Sequence, residues 1–258
     1  MRVPAHLVEA RRRKLGWMLQ QEGYLPVAEV CRRLHISPAT ARRDLVALAG
    51  QKQVTRTYGG AMVDYNLRFP SFQQRQKRDA AGKAKVAEAA YRSLTPGELL
   101  FFDAGTTVYA VAQRIREHPI GPLTVVTSSL PVADLLAPLE TVRVHLLGGQ
   151  LLPRQSVLLG EGALREVPHW NFDRAILSVQ GFDAEGLWNT TADVVAIQKA
   201  VMARSRRVVV CADASKLGQQ GPSLLCGWRE KFRLLTDAPQ AALEAAGIPL
   251  TAGHYWGA

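Results

Sequence analysis

The sequence predicts two domains, a small α+β domain followed by a larger α/β domain on a mainly parallel sheet. Three observations predict this. A length of 258 residues suits two domains, one of them small. Charge is divided unevenly: Lys and Arg outnumber Asp and Glu by 11 to 4 in residues 1–62 and by 7 to 3 in residues 63–92, but stand at 14 to 15 in residues 93–258, so all the excess positive charge of a chain of net charge +10 lies before residue 93. The hydrophobic pattern also changes. Short helical stripes and a glycine-bearing hairpin come first, and near-continuous apolar runs alternating with helices come after. At 47% hydrophobic and 21% charged residues the chain has material for a real core.

The expected boundaries are 1–62 for the first domain, 63–82 for a polar, charge-mixed linker, and 83–258 for the second domain. In the first domain, Arg11–Glu22 reads as a helix with Leu15, Met18 and Leu19 inward, ended by Gly23. Val27–Leu34 is a second helix with its stripe at Val27, Val30, Cys31 and Leu34, and His35-Ile36 is a tight connection. Ser37 then caps a third helix, Pro38 suits its first turn, and Ala41, Leu45 and Leu48 define its buried face. Pro38, Ala39, Arg42 and Arg43 are left pointing outward, with Thr40 at the edge. Val54–Met62 reads as a small β-hairpin wing carrying Arg56 and Tyr58.

Together these elements spell a winged helix-turn-helix. A short helix with an apolar back and a front of small residues and arginines has the shape and charge to enter a DNA major groove. Ser37 would position that helix, and Thr40, Arg42 and Arg43 would touch bases or phosphates. Arg42 and Arg43 stand about 100° apart around the helix and serve different contacts. Arg56 and Tyr58 would reach backbone or minor groove. The charge surplus beside a neutral second domain is the footprint of a phosphate-backbone binder joined to a domain with another job.

Ser37, Thr40-Ala41-Arg42-Arg43-Asp44-Leu45 and Arg56-Thr57-Tyr58-Gly59-Gly60-Ala61 resemble the DeoR family of bacterial sugar-responsive transcription regulators. The family usually has Ile at the place of Ala41 and Ser or Thr at that of Pro26. Its Phe-x-x-Arg element is matched by Phe72 and Arg75, and its following lysine by Lys83, which implies an anion contact for Lys83.

The second domain alternates from Ala84 onward. Lys85–Ser93 is a helix, Glu98–Asp103 a strand, Thr107–Glu117 a helix, Leu123–Thr127 a strand, Pro131–Leu136 a helix and Val142–Leu147 a strand. Later strands are expected at 174–179, 207–212 and 232–236, with helices at 194–204 and 240–246. Apolar strands separated by helices imply a Rossmann-like, mainly parallel sheet covered on both faces. Ligands of such sheets bind at the carboxyl ends of the strands.

Four strand ends carry polar or small residues. Asp103-Ala104-Gly105-Thr106-Thr107 combines a carboxylate, a glycine for a sharp strand-to-helix turn, and two threonines over a helix N-terminus that favours an anion. Thr127-Ser128-Ser129 is a hydroxyl cluster. Gly148-Gly149 lets a ligand approach the backbone. Asp213-Ala214-Ser215-Lys216 offers an amine for phosphate and a carboxylate for sugar hydroxyls. A polyol-phosphate pocket explains all four together.

The resemblance extends over this half too, to roughly residues 10–240. It implies a sensor similar in fold to ribose-5-phosphate isomerase and coenzyme A transferases, with sugar-phosphate recognition by Asp103, Gly105, Thr106, Thr107, Thr127, Gly148, Gly149, Asp213 and Lys216. Ser128 stands where the family has Asn, and no Glu is found near Val195.

The whole reads as a repressor of a sugar or polyol catabolic operon, released from operator DNA by a phosphorylated sugar. Paired half-sites call for a homo-oligomer, a dimer or higher. The rival reading, a sugar-phosphate isomerase with an appended DNA-binding head, needs a general base. Asp103 and Asp213 are the candidates, and both look like ligand anchors. Trp170, Trp188 and Trp256 read as core or interface residues.

Six histidines without metal-ligand spacing, and the absence of Cys-x-x-Cys, predict no metal and no cofactor. Cys31, Cys211 and Cys226, odd in number and far apart, read as buried free thiols of a reducing compartment. With no signal-peptide pattern and no membrane-length apolar run, a cytoplasmic protein is expected.

Overall fold

A computed structural model describes residues 5–22, 24–50, 55–56, 60–62, 70–249 and 255–257. The chain forms two compact units, 1–69 and 70–258.

In the first unit, α1 (Ala5–Glu22), α2 (Val27–Leu34) and α3 (Pro38–Gly50) pack around Leu15, Met18, Leu19, Leu25, Val30, Ala41, Leu45 and Leu48, all buried. The stripes of α2 and α3 face this core because they repeat at helical period. His35 closes α2 in the left-handed conformation (φ 50°), its N–H donating to the Cys31 carbonyl, and so makes the tight turn. The hairpin β2 (Thr55–Arg56) and β3 (Gly60–Met62) is joined by a third strand that the residue pattern does not announce, β1 (Tyr24–Pro26). The sheet order is β1-β3-β2, antiparallel throughout. Three residues ending in proline are too short to show a period of two.

Two further features of this unit went unread. Helix α1 starts six residues before Arg11. Asp44, on the core side of α3, is buried and receives Arg11 Nε at 2.6 Å and Arg12 Nε at 2.9 Å. Burial by itself would raise the Asp44 carboxyl, but these two hydrogen bonds outweigh it and hold the group below its ordinary value.

The second unit opens earlier than expected. Pro70 to Gly82, read above as the second half of a linker, is packed helical structure. Ser71 forms a capping box with Gln74 at the start of α4 (Phe72–Lys77), and Asp79 caps α5 (Ala80–Arg92). Phe72 is buried edge-on against Tyr109, with ring centroids 5.2 Å apart. One aromatic among so many polar residues is enough to dock a segment whose average composition reads as solvated.

Strands β4 (Leu99–Phe102), β5 (Leu123–Thr127), β6 (Val142–Leu146), β9 (Phe172–Ser178), β12 (Ser205–Cys211), β14 (Arg233–Thr236) and β15 (Tyr255–Gly257) form one parallel sheet, ordered β15-β14-β12-β9-β4-β5-β6. Each inner strand divides its side chains between two cores. Leu100, Phe102, Ile176, Val209 and Cys211 meet α5, α6 (Thr106–Glu117) and α7 (Leu130–Leu136). Phe101, Ala175, Leu177, Val208 and Val210 meet α8 (Glu161–Glu166), α9 (Ala192–Ala203) and α10 (Gln240–Ala245). Burial on both faces is why these strands read as unbroken apolar runs.

The pattern missed two antiparallel additions. One is the hairpin β7 (Gln150–Leu152) and β8 (Val157–Leu159); the other is a small sheet of β10 (Gly181–Asp183), β11 (Gly186–Asn189) and β13 (Ser223–Cys226). Buried Arg174 also breaks its apolar strand, donating to Glu98 at 2.9 Å.

The cysteines are free, but only Cys211 is fully buried; Cys31 and Cys226 are half-buried, a correction to the expectation. Burial pushes the Cys211 and Cys226 thiols up to about 12, away from the thiolate form. Trp188 is core, its indole N–H donating to Asp183 at 2.9 Å, and half-buried Trp170 packs on His145 and the adjoining core. The Trp256 side chain lies outside the described residues. Among the described residues, no helix is long and apolar enough to cross a membrane and no cluster could hold a metal ion.

Candidate functional site

Helix α3 presents one face to its core and one outward. The Ser37 hydroxyl accepts from Thr40 N at 3.3 Å and lies 3.0 Å from the Thr40 hydroxyl, so Ser37 caps the helix and Thr40 sits beside it. Pro38, Ala39, Arg42 and Arg43 are exposed. Charge pairing separates this face from its neighbours. Glu29 takes Arg32 at 2.6 Å and also Arg33; hydrogen bonds from these two arginines lower the Glu29 carboxyl to about 2. Asp44 takes Arg11 and Arg12. Arg42 and Arg43 have no ion pair among the described residues, so of these six arginines they are the ones left for an outside anion. Arg56 lies in β2 opposite Ala61, and its side chain lies outside the described residues. Tyr58 does too.

The second candidate site occupies the carboxyl ends of the parallel strands. From β4 the chain runs outward through β5 and β6, then crosses to the other side of β4 as β9, β12 and β14. The strand order therefore reverses between β4 and β9, where open α/β sheets bind ligands. Asp103 follows β4 and Ser178 ends β9.

Asp103 is buried, and its Oδ2 accepts Ser178 N at 3.0 Å, Ser178 Oγ at 3.1 Å and Gln198 Nε2 at 2.8 Å. Gln198 is held in turn by Asn189, whose Nδ2 donates to Gln198 Oε1 at 2.9 Å. The carboxylate is locked by one oxygen, and its other oxygen accepts no hydrogen bond among the described residues.

Gly105 has an ordinary φ of −81°, so a sharp turn is not what requires glycine. A Cβ there would stand 1.7 Å from Ser178 Oγ and 2.5 Å from Ser178 Cβ. The glycine lets β4 and β9 close around Asp103. Thr106 and Thr107, in the first turn of α6, are buried, and Thr107 Oγ1 has no hydrogen-bond partner.

Thr127 is committed to the fold. Its hydroxyl donates to the Phe102 carbonyl at 2.6 Å and accepts from Ser129 N at 3.0 Å. Ser128 is buried beside it. Gly148 and Gly149 also serve packing: Gly148 N–H donates to Glu166 at 2.9 Å, and Gly149, at φ 140°, lies where a Cβ would meet the Leu159 carbonyl at 2.5 Å. The Gly148 N–H is thus already held by a carboxylate, so any close approach of a ligand here would use another part of the backbone.

Asp213 is buried, with Oδ1 accepting from Ser215 Oγ and Oδ2 unpartnered. Lys216 donates to the Val179 carbonyl at 2.7 Å. Burial lowers its ammonium to about 8; Asp213 opposes that, and Lys83 and Arg75 push the same way as burial. Lys83 is buried and donates to the carbonyls of Arg75, at 2.9 Å, and Arg78, so it ties the end of α4 to α5. Burial lowers Lys83 as well, with Asp213 and Asp79 opposing. Asp213, Lys83, Lys216 and Arg75 thus share one electrostatic neighbourhood, in which cations outnumber the carboxylate nearest them. An anion placed there would favour the charged form of both amines, and the unpartnered Thr107 and Asp213 oxygens are suited to hydroxyls.

Ser178, Asn189 and Gln198, which hold the Asp103 carboxylate in place, were not singled out from the sequence. The one trace of Gln198 there is an amide in a helix otherwise rich in Val, Ile and Ala.

Known proteins resemble both halves. Residues 11–66 match the profile of the DeoR-like helix-turn-helix domain and residues 78–238 that of the DeoR C terminal sensor domain. The glycerol-3-phosphate regulon repressor of Escherichia coli (strain K12) is 31% identical over 223 residues, covering 86% of this chain and 88% of the relative. The HTH-type transcriptional repressor GlcR of Bacillus subtilis (strain 168) is 30% identical over 220 residues, covering 85% and 84%. Among solved structures, ribose 5-phosphate isomerase A of Methanocaldococcus jannaschii aligns over 52% of this chain and 53% of its own, at TM-score 0.37 and 19% identity.

Proposed function

The chain belongs to the DeoR family of transcriptional regulators, and on that footing we propose that it represses a sugar or polyol catabolic operon and leaves its operator when a phosphorylated sugar or polyol fills the pocket of the α/β unit. It is a DNA-binding regulator rather than an isomerase. The observation that carries the effector reading is the crowding of Lys83, Lys216 and Arg75 around Asp213 beside unpartnered buried oxygens.

In this reading Lys216 and Lys83 receive the phosphate, with the Thr106 and Thr107 turn of α6 beside it. Asp103 and Asp213 accept polyol hydroxyls, and Ser128 borders the ligand. Gly105, Thr127, Gly148 and Gly149 shape the pocket wall. Ser37, Thr40, Arg42 and Arg43 meet operator DNA, with Arg56 and Tyr58 of the wing on the adjoining backbone. The protein works as a cytoplasmic homo-oligomer, since paired half-sites need paired recognition helices. Effector and operator must favour different arrangements of that oligomer, because a ligand shifts an equilibrium only by its differential affinity.

The test is fluorescence anisotropy of labelled DNA from upstream of the chain's own operon. Glycerol 3-phosphate, ribose 5-phosphate, fructose 1-phosphate and glucose 6-phosphate are each compared with the unphosphorylated parent. Release by an ester and not by its parent is expected. DNA that binds and is released by none of the esters sinks the effector reading, and no DNA binding at moderate salt sinks the regulator reading.

A further inference from the structure

Between β7 and β8 the chain makes a short loop, residues 153–156. Its backbone is a junction. The Arg154 carbonyl accepts Phe72 N at 3.0 Å, and the Gln155 carbonyl accepts Arg75 Nη2 at 3.4 Å, so the loop grips α4 twice. On its other side the Ser156 carbonyl accepts Leu130 N at 3.0 Å, at the start of α7 just after the hydroxyl cluster that ends β5. The loop therefore stretches from the carboxyl end of β5 to the helix by which the chain enters the second unit.

Gln155 is 6% exposed, and its Nε2 is buried with no hydrogen-bond partner. An amide with two N–H donors is costly to enclose unused. Arg75, held by this residue's own carbonyl, is among the charges that bear on both Lys83 and Lys216. The idle donor is thus enclosed on the residue whose carbonyl accepts from Arg75, one of the cations of that cluster.

We propose that Gln155 is an effector-contacting residue and that loop 153–156 couples the pocket to α4: the bound ester accepts a hydrogen bond from the Gln155 amide, and the carbonyls of Arg154 and Gln155 carry the resulting shift to Phe72 and Arg75. The inference rests on the pocket reading given above. It differs from that reading in naming a residue outside the four strand ends and a route out of the pocket. Lys83, which holds the other end of α4 through the Arg75 and Arg78 carbonyls, makes the same helix answerable to the ligand from below.

The experiment uses the full chain, as wild type, Gln155→Leu and Gln155→Glu. Leu removes the amide at similar size; Glu keeps the shape, loses the donors and adds a negative charge. Each variant's thermal transition checks folding, and its own ligand-free operator complex is the reference for its response. Two readouts are taken with glycerol 3-phosphate, ribose 5-phosphate, fructose 1-phosphate and glucose 6-phosphate. These are the concentration that half-releases operator DNA, and amide hydrogen exchange of residues 70–83 and 150–158.

For an ester that releases wild type, both segments should exchange more slowly on binding. The half-release concentration should rise at least about tenfold in Gln155→Leu and further in Gln155→Glu. If both folded variants respond at the wild-type concentration, or if wild type releases DNA with exchange in 150–158 unchanged, the Gln155 assignment is overturned while the pocket reading stands. If wild type answers to no ester, the pocket reading falls and this inference with it.

Discussion

Gly105→Ala is the substitution whose cost the structure specifies most fully. The added Cβ would stand 1.7 Å from Ser178 Oγ and 2.5 Å from Ser178 Cβ. The hydroxyl can rotate away, but the Ser178 Cβ cannot, because Ser178 is paired in register with Cys211 in the interior of the sheet. Either β9 or the start of α6 must yield by about an ångström, an overpacking cost of about 1–3 kcal/mol. Moving the Ser178 hydroxyl also gives up its bond to the Asp103 carboxylate, about 1.5 kcal/mol for a hydrogen bond to a charged group. The expected loss is therefore about 2.5–4.5 kcal/mol, or roughly 5–18 °C in the thermal transition of a unit this size.

Calorimetry of the full chain reads this loss, and Gly105→Ala, Ser178→Gly and the double variant close a cycle. The double variant should recover the clash but not the hydroxyl bond, with a coupling on the order of 1–3 kcal/mol. Operator release in Gly105→Ala should need more ester, because Asp103 loses one of its three holds. A Gly105→Ala protein that melts with wild type and shows no coupling to Ser178 would refute the close-approach account of this glycine.

Two further outcomes are expected. Arg43→Ala should weaken operator binding by about 1–3 kcal/mol, roughly 5- to 150-fold, and leave ester binding intact; anisotropy reads the first and titration calorimetry the second. The affinity of a releasing ester should fall as pH rises above about 8, where Lys216 in the free protein loses its proton, by up to about tenfold per pH unit. The sign follows from linkage. An anion raises the pKa of the ammonium it binds, so binding takes up a proton above the free value. Asp213, Lys83, Arg75 and Cys211 also bear on Lys216, so Lys216→Arg, charged throughout this range, should flatten the profile if Lys216 is its source. The same depressed value means that folding itself gains from rising pH between about 8 and the ordinary lysine range, where the unfolded chain holds the proton more tightly. The loss of affinity is therefore separable from unfolding.

Much of this protein was legible in the order of its residues because the signals are local. The face of α3 follows from Ser37, Ala41, Leu45 and Leu48, since a 3.6-residue period needs no partner to be read. The parallel sheet follows from runs such as Leu99–Phe102 and Val208–Cys211, since burial on both faces leaves only apolar residues to choose from. That buried carboxylates stand at Asp103 and Asp213, just past the ends of their strands, follows from the same pattern.

What only the tertiary structure decided is how polar atoms meet across distance in sequence. Asp44 looks like a solvated helix residue until Arg11 and Arg12, more than thirty positions away, bury it. Thr127 and Gly148 look like ligand contacts until the Phe102 carbonyl and Glu166 occupy them. Gly105 needs glycine for the sake of Ser178, and Gln155 becomes notable only because nothing answers its amide. Hydrophobic burial is averaged over many neighbours and leaves a periodic trace in the chain. A hydrogen bond is made with one atom at one angle, and the partner is named only when the fold brings it there.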